Sequence, residues 1–275
     1  MKRFLHTRTG PAAAGLVLAV IALALLAPVI SADPLAGGAD ALLPPWHQGH
    51  LLGTDDLGRD IWAQLAHGAR VSLLVGLITA TIGLVIGTAV GAAAGFTGGW
   101  TDAILMRIAE FFQTLPRFVL ALIIVALLGP GLTRVILVIA ALSWPQTARV
   151  VRSLFASLRH AGYVDAARVG GMGPIRLALV EILPNALAPV IVLGSLDVAT
   201  AILLEAGLGF FGLGDPDLVS WGSMLNGAQQ YLRSAWWMAA FPGLAIAATV
   251  LGFSLLGDAL NQALDPRGTQ PTPRP

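Results

Sequence analysis

Apolar residues run along this chain in six long blocks, at about 11–30, 71–95, 103–128, 133–155, 186–206 and 236–257. Each comes close to the ~20 mostly apolar residues that a helix needs to cross a bilayer. The pattern predicts an all-α integral membrane protein with six transmembrane helices. The first block follows Lys2, Arg3 and Arg8, a basic start that also suits a cleaved signal peptide. Its apolar run is long for a signal core, so a retained span is expected. The organisation expected is an N-terminal helix and outer loop over 1–70, a five-helix domain over 71–262 and a tail over 263–275.

Two polar interruptions stand out. The first is "HLLGTDDLGRDIWAQLAHGARVSL", residues 50–73, after Pro44 and Pro45. Leu57, Ile61 and Leu65 recur every four residues, as on one face of a helix. Thr54 or Asp55 can cap its start, and Trp62 suits a lipid–water boundary. A short helix lying on the outer face and leading into span two is expected. The second is "YVDAARVGGMGPIRLALVEILPN", residues 163–185, between spans four and five. Residues 163–169 suit two helical turns, with Asp165 and Arg168 three apart. Gly170 and Gly171 permit a sharp turn. Pro174 suits the start of a second helix, which runs to Leu183, with Pro184 as the next boundary. Ala166 and Ala167 present almost no side chain, so a partner groove could close around them. From the residues alone this is a docking helix–turn–helix or an ordinary solvated connector.

Composition strengthens the membrane reading: 56% of residues are hydrophobic and 11% charged, against about a quarter charged in soluble domains. A net charge of +1 gives no reason to expect nucleic acid as a partner. There is no cysteine, so disulfides and thiolate chemistry are excluded. The only lysine is Lys2, so no GxxxxGK[ST] phosphate loop exists; if ATP drives this protein, another polypeptide binds it. Cytoplasmic loops carry an excess of Lys and Arg. Placing the N-terminus inside leaves only Arg59, Arg70, Arg134 and Arg233 outside. Both termini and residues 163–185 are therefore expected in the cytoplasm.

Within the spans, Gly83, Gly87, Gly91 and Gly95 form a stripe of small residues that lets another helix come close. The neighbour belongs to the same subunit or, alternatively, to a second one. Span three is polar in its inner half, with Arg107, Glu110, Gln113 and Arg117, and Pro116 and Pro145 are candidate kinks. Asp197 and Glu205 are acids in or beside span five. A charge at that depth costs at least ~2.5 kcal/mol, so both should face protein or water, as structural or pathway residues. "GLGFFG", residues 207–212, matches GxGxxG but lacks the strand and helix of a dinucleotide site; its glycines and Gly214 read as turns. His47, His50 and His67 match no standard metal spacing, and no catalytic constellation is apparent. No metal, cofactor or catalytic residue is assigned.

"DAARVGG" followed by "EILPN" resembles the EAA-type loop of ABC importer permeases. Asp165, Ala166 and Ala167 match its start, with Asp for Glu. Gly171 takes the Gly slot, and Leu183 and Pro184 the last two. Glu181 occupies the slot usually held by Ile, with Ile182 one place late. "HLLGTDDLGRD", "GLGFFGLG" and "GDALNQALDPR" extend the resemblance to the C-type permease of dipeptide, oligopeptide and nickel importers, from about residue 50 onward. The resemblance implies a type I ABC importer permease fold in a prokaryotic inner membrane, with residues 163–185 as the coupling element. It implies a second, homologous permease, two ATP-binding subunits that bind ATP and Mg, and an extracytoplasmic substrate-binding protein. Small peptides are the expected cargo and nickel or a metal chelate the alternative. The rival of another class is an autonomous secondary transporter or channel.

Overall fold

The computed structural model describes residues 9–264. Lys2, Arg3, Arg8 and the tail beyond Leu264 lie outside the described residues, so the expected placement of both termini does too.

Apolar length translates directly into helices. They are α1 (Gly10–Ile30), α2 (Ile61–Thr97), α3 (Gly99–Thr114), α4 (Arg117–Leu128), α5 (Leu132–Leu158), α6 (Gly162–Val169), α7 (Pro174–Phe210), α8 (Trp221–Ala228) and α9 (Trp237–Leu264). Within α7, residues Leu177–Ile182 are π-helical and Leu183–Phe210 α-helical. No strand occurs among the described residues, only isolated bridges between His47 and His50 and between Thr54 and Asp60. Five helices are long and apolar enough to cross a bilayer: α1, α2, α5, α7 and α9. The third expected span, 103–128, is instead two helices bent by 84°. The break falls at Leu115 and Pro116, where Leu115 is extended and Pro116 precedes the first turn of α4. A proline disfavours helical backbone in the residue before it.

The centre is the pairing of α2 with α5. Gly83, Gly87, Gly91 and Gly95 all face α5 of the same chain. A Cβ on Gly83 would fall 2.8 Å from Ser143 Cβ, and one on Gly87 2.6 Å from Thr147 Cβ. On Gly91 and Gly95 it would meet the carbonyl oxygens of Ala148 and Arg152 at 2.4 Å. Backbones can come this close only where side chains are missing. The other face of α2 packs on α7, where Gly76 accommodates Ile202. One apolar cluster joins α1, α2, α7, α8 and α9 around Trp221 and Ile202.

The surface helix expected over 50–73 is absent. Residues 31–60 form an irregular, hydrogen-bonded strap, and α2 begins only at Ile61. Its cap is Asp60, whose Oδ1 accepts the Ala63 N–H at 2.9 Å, not Thr54 or Asp55. Asp55 is used differently: Oδ1 accepts the N–H groups of Leu57 and Arg59 at 2.9 and 2.8 Å, and Oδ2 accepts Gln64 Nε2 at 2.8 Å. This tight turn removes Leu57 from the stripe and leaves it exposed. Thr54 is fully buried; its hydroxyl donates to Asp40 O at 2.6 Å and accepts the Leu43 N–H at 2.9 Å. Trp237 Nε1 of α9 donates to Thr54 O at 3.1 Å, fastening the strap to the bundle. Residue 70, set as the end of the N-terminal segment, lies inside α2.

Two further boundaries moved. Pro184 ends nothing, because α7 runs through it. A proline at this position offers no N–H to the carbonyl four residues back and collides with it. The chain widens to a π turn instead, with the Leu183 N–H on Ala178 O, and Asn185 Nδ2 donates to the Glu181 carbonyl at 2.7 Å. Gly207 and Gly209 are helical rather than turn residues, and of the GLGFFG glycines only Gly212 has positive φ, at 76°. Gly209 packs against Gly222 of α8, where a Cβ would meet backbone at 3.0 Å.

Candidate functional site

Residues 161–184 form a projecting knob at one end of the bundle. Helix α6 begins after extended Ala161 and closes with the Gly170 N–H on Ala166 O at 3.0 Å and the Gly171 N–H on Arg168 O at 3.0 Å. The chain reverses at Gly171, whose φ of 84° is left-handed. The Met172 N–H then returns to Ala167 O at 3.1 Å. Gly173 is extended, and Pro174 opens the first turn of α7.

The knob stands on an apolar base. Val164 and Leu177 from its two arms are buried with Val151 and Phe155 of α5 and with Ile182 and Ala186 of α7. The π turn carries Ile182, not Glu181, into this core. That settles the residue mismatched to the EAA-type pattern: Glu181 stays half-buried while its neighbour does the packing. Ala166 is exposed, whereas Ala167 packs partly against the base, so only one of the paired alanines is bare. Leu183 is half-buried and Pro184 exposed. Asp165 Oδ1 accepts Arg168 Nη1 at 2.6 Å, and Arg168 Nη2 reaches Arg159 O at 3.2 Å, bracing the arm against the end of α5.

The outward surface of the knob is more apolar than its charges suggest. Val169 is 90% exposed and Ile175 75%, and Tyr163 is also exposed. Sequence reasoning passed over these residues because an apolar side chain beside a membrane span reads as more span. The signal that could have found them is their position flanking the glycine turn.

Beside the knob, Arg152 of α5 holds Asp102 of α3 with two bonds, Nε–Oδ1 at 2.9 Å and Nη2–Oδ2 at 2.5 Å. Arg159 Nη1 donates to Gly95 O and Phe96 O at 3.2 and 3.3 Å. The ends of α2, α3 and α5 are thus locked together where the knob joins them.

The two deep acids do not meet. Asp197 accepts Thr147 Oγ1 of α5 at 3.1 Å, and it forms no ion pair with Arg117 among the described residues. Arg117 itself donates to Leu142 O, at 3.1 Å from Nε and 2.9 Å from Nη2, and to Ser143 O at 3.1 Å, beside Pro145. It therefore ties the broken helix pair to α5. Glu205 accepts Ser72 Oγ of α2 at 2.9 Å and is 4% exposed. Each acid cross-links helices. His50 Nδ1 lies 2.6 Å from Asp60 Oδ2, and no cluster of three metal-ligating side chains occurs among the described residues.

Comparison with known proteins adds lineage to this geometry. Residues 83–270 match the family described as "Binding-protein-dependent transport system inner membrane component". The chain is 47% identical over 279 residues to the dipeptide transport system permease protein DppC of Escherichia coli K12, covering 97% of this chain and 93% of that one. It is 41% identical to the di/tripeptide transport system permease protein DppC of Pseudomonas aeruginosa, over 96% of this chain and 90% of that one. A solved structure of the inward-facing methionine transporter MetNI contains a chain of similar fold, with a TM-score of 0.58 at 22% identity. The match covers 73% of this chain and 95% of that one.

Proposed function

Because this chain belongs to the family of binding-protein-dependent transport system inner membrane components, we propose that it forms half of the membrane pathway of an ATP-driven importer of small peptides. The observation that carries the cargo is its 47% and 41% identity, over nearly the whole chain, with dipeptide and di/tripeptide permeases. That similarity also ranks peptides ahead of nickel or a metal chelate.

The mechanism follows from where rigidity and exposure lie. The knob at 161–184 is short, braced by Asp165–Arg168, and seated on α5 and α7. Its exposed Val169, Ile175 and Ala166 suit the groove of a separate ATPase subunit. Asp165, Ala166, Ala167, Gly170, Gly171, Leu183 and Pro184 then make up the coupling element. A push on it is delivered to α5 and α7 together, and α2 follows because its glycine stripe is locked on α5. Membrane coupling of this kind needs rigid elements in contact, not a flexible tether. In this reading a second, homologous permease completes the pathway, two ATP-binding subunits bind ATP and Mg, and an extracytoplasmic binding protein delivers the peptide. The chain sits in a bacterial inner membrane with both termini inside, and it performs no catalysis itself. Asp197 and Glu205 are structural cross-links in this scheme.

The test is reconstitution. The full set of subunits in liposomes should take up a labelled dipeptide only with ATP and binding protein, and should not take up nickel. Gradient-driven uptake by this chain alone would instead establish a secondary transporter, and ATP-driven nickel uptake without peptide uptake would reverse the cargo assignment.

A further inference from the structure

At the end of the bundle opposite the knob, a half-open cavity of about 410 Å³ lies between the 31–60 strap, the start of α2 and the segment joining α7 to α8. Its volume is in the range of small-molecule sites. Four charged side chains line it: Asp55, Asp56, Arg59 and Asp215. Two are already spent on the fold. Asp55 is saturated by Leu57, Arg59 and Gln64, as described above. Asp215 accepts the Leu132 N–H through Oδ2 at 3.1 Å and the Asp217 N–H through Oδ1 at 3.0 Å.

Arg59 is different. Its backbone N–H is used, but its side chain makes no ion pair among the described residues. Its Nε is buried without a hydrogen-bond partner. A guanidinium presents a planar fork of donors that matches a carboxylate, and a buried donor left unpaired is costly. Asp56 is nearly as free, with one long contact from Tyr231 Oη at 3.5 Å. The cavity therefore offers one unused cation and one little-used anion. Part of its wall is bare backbone, because Gly209, Gly212 and Gly214 line it.

We propose that this cavity is a reception site for zwitterionic small peptides, in which Arg59 binds the C-terminal carboxylate and Asp56 receives the N-terminal ammonium. The proposal rests on the peptide-import reading, which places this end of the bundle outside. It assigns to the permease itself a recognition of free peptide termini, separate from that of the binding protein. Side chains of the peptide would face the glycine-lined wall, where little discriminates among them.

The test uses the assembled complex of both permeases and ATPases in nanodiscs, without binding protein. Binding of labelled dialanine is compared with that of its C-terminal amide. The wild-type complex should bind the free acid about tenfold more tightly. Arg59→Gln should lose that preference, and Arg59→Lys should restore part of it. Asp56→Asn should reduce the preference for dialanine over N-acetyl-dialanine, which keeps the result readable if Arg59→Gln assembles poorly. Equal binding of acid and amide by the wild type overturns the proposal. So does Arg59→Gln that weakens stimulation of the ATPase by binding protein while leaving dialanine binding unchanged, since Arg59 would then dock that protein. Loss of the import reading is recognised separately: the wild-type complex with its binding protein would then take up no dialanine at all.

Discussion

Gly171 carries the sharpest demand made on any single residue of the knob. Its φ of 84° is unfavourable for a residue with a Cβ, by roughly 1–2 kcal/mol. Beyond its own chain neighbours nothing lies within 4 Å of where that Cβ would be, so backbone conformation is the obstacle. Gly171→Val should therefore leave membrane insertion intact while reducing ATP-coupled uptake severalfold, whereas Gly171→Asn, which tolerates this conformation better, should retain most of it. Uptake and insertion measured on the same membranes check this. Glu205 makes a different demand. Glu205→Ala leaves Ser72 without its partner and opens a gap, and should destabilise by about 1–3 kcal/mol. Glu205→Gln keeps an acceptor for Ser72 and should cost less. If Glu205→Gln abolished uptake while preserving thermal stability in detergent, the carboxylate would have a pathway role rather than a structural one.

Among the elements, the α2–α5 pair is where sequence and packing agree most closely. Four glycines at four-residue spacing place a smooth strip on α2, and α5 lies in it with carbonyl oxygens where side chains would be. Gly91→Leu should separate the helices and destabilise the bundle by at least about 1–3 kcal/mol, lowering its melting temperature in detergent. The same change at Gly243, where a Cβ would meet nothing, should not force any helices apart. Elements also show where local rules give way. A proline predicts a boundary, and at Pro116 the chain does break, by 84°. At Pro184 it does not, because one turn of π-helix rearranges the hydrogen bonds and Asn185 satisfies a carbonyl. The two cases have the same residue and different neighbours.

Across the whole molecule, the strap at 31–60 decides how one end of the bundle is closed. Trp237 Nε1 holds the Thr54 carbonyl, and Trp221 Nε1 holds the Leu65 carbonyl. Trp237→Phe keeps the ring but leaves the Thr54 carbonyl without this donor. It should cost about 1 kcal/mol and raise proteolytic cleavage within 31–60, measured in right-side-out vesicles. The strap was the least legible part of the sequence. Leu57, Ile61 and Leu65 have helical spacing, but Asp55 diverts the backbone into a turn and Asp60 takes over as cap. A side-chain–backbone bond of that kind competes locally with a helix, and nothing in the periodicity reveals which wins. The knob was more legible, since its turn glycines and Pro174 act within a few positions of one another; Pro184, read as a boundary, was the exception. What escaped notice there was the exposure of Val169 and Ile175. The free guanidinium of Arg59 escaped for a related reason: an arginine looks the same in sequence whether its partner is present or missing.

The sequence by itself determined that this is a helical membrane protein without a phosphate-binding loop, and that its chain can turn sharply at Gly170–Gly171. Those properties follow from hydrocarbon length, from a missing lysine and from the conformational freedom of two adjacent glycines, all of which are local. Only the tertiary structure decided that span three is broken, that α7 passes through Pro184, that the glycine stripe serves α5, and that Asp197 and Glu205 tie separate helices together. Each of those outcomes depends on which atoms from distant parts of the chain satisfy a buried donor, acceptor or gap, and proximity in space is not written in the spacing of residues along a chain.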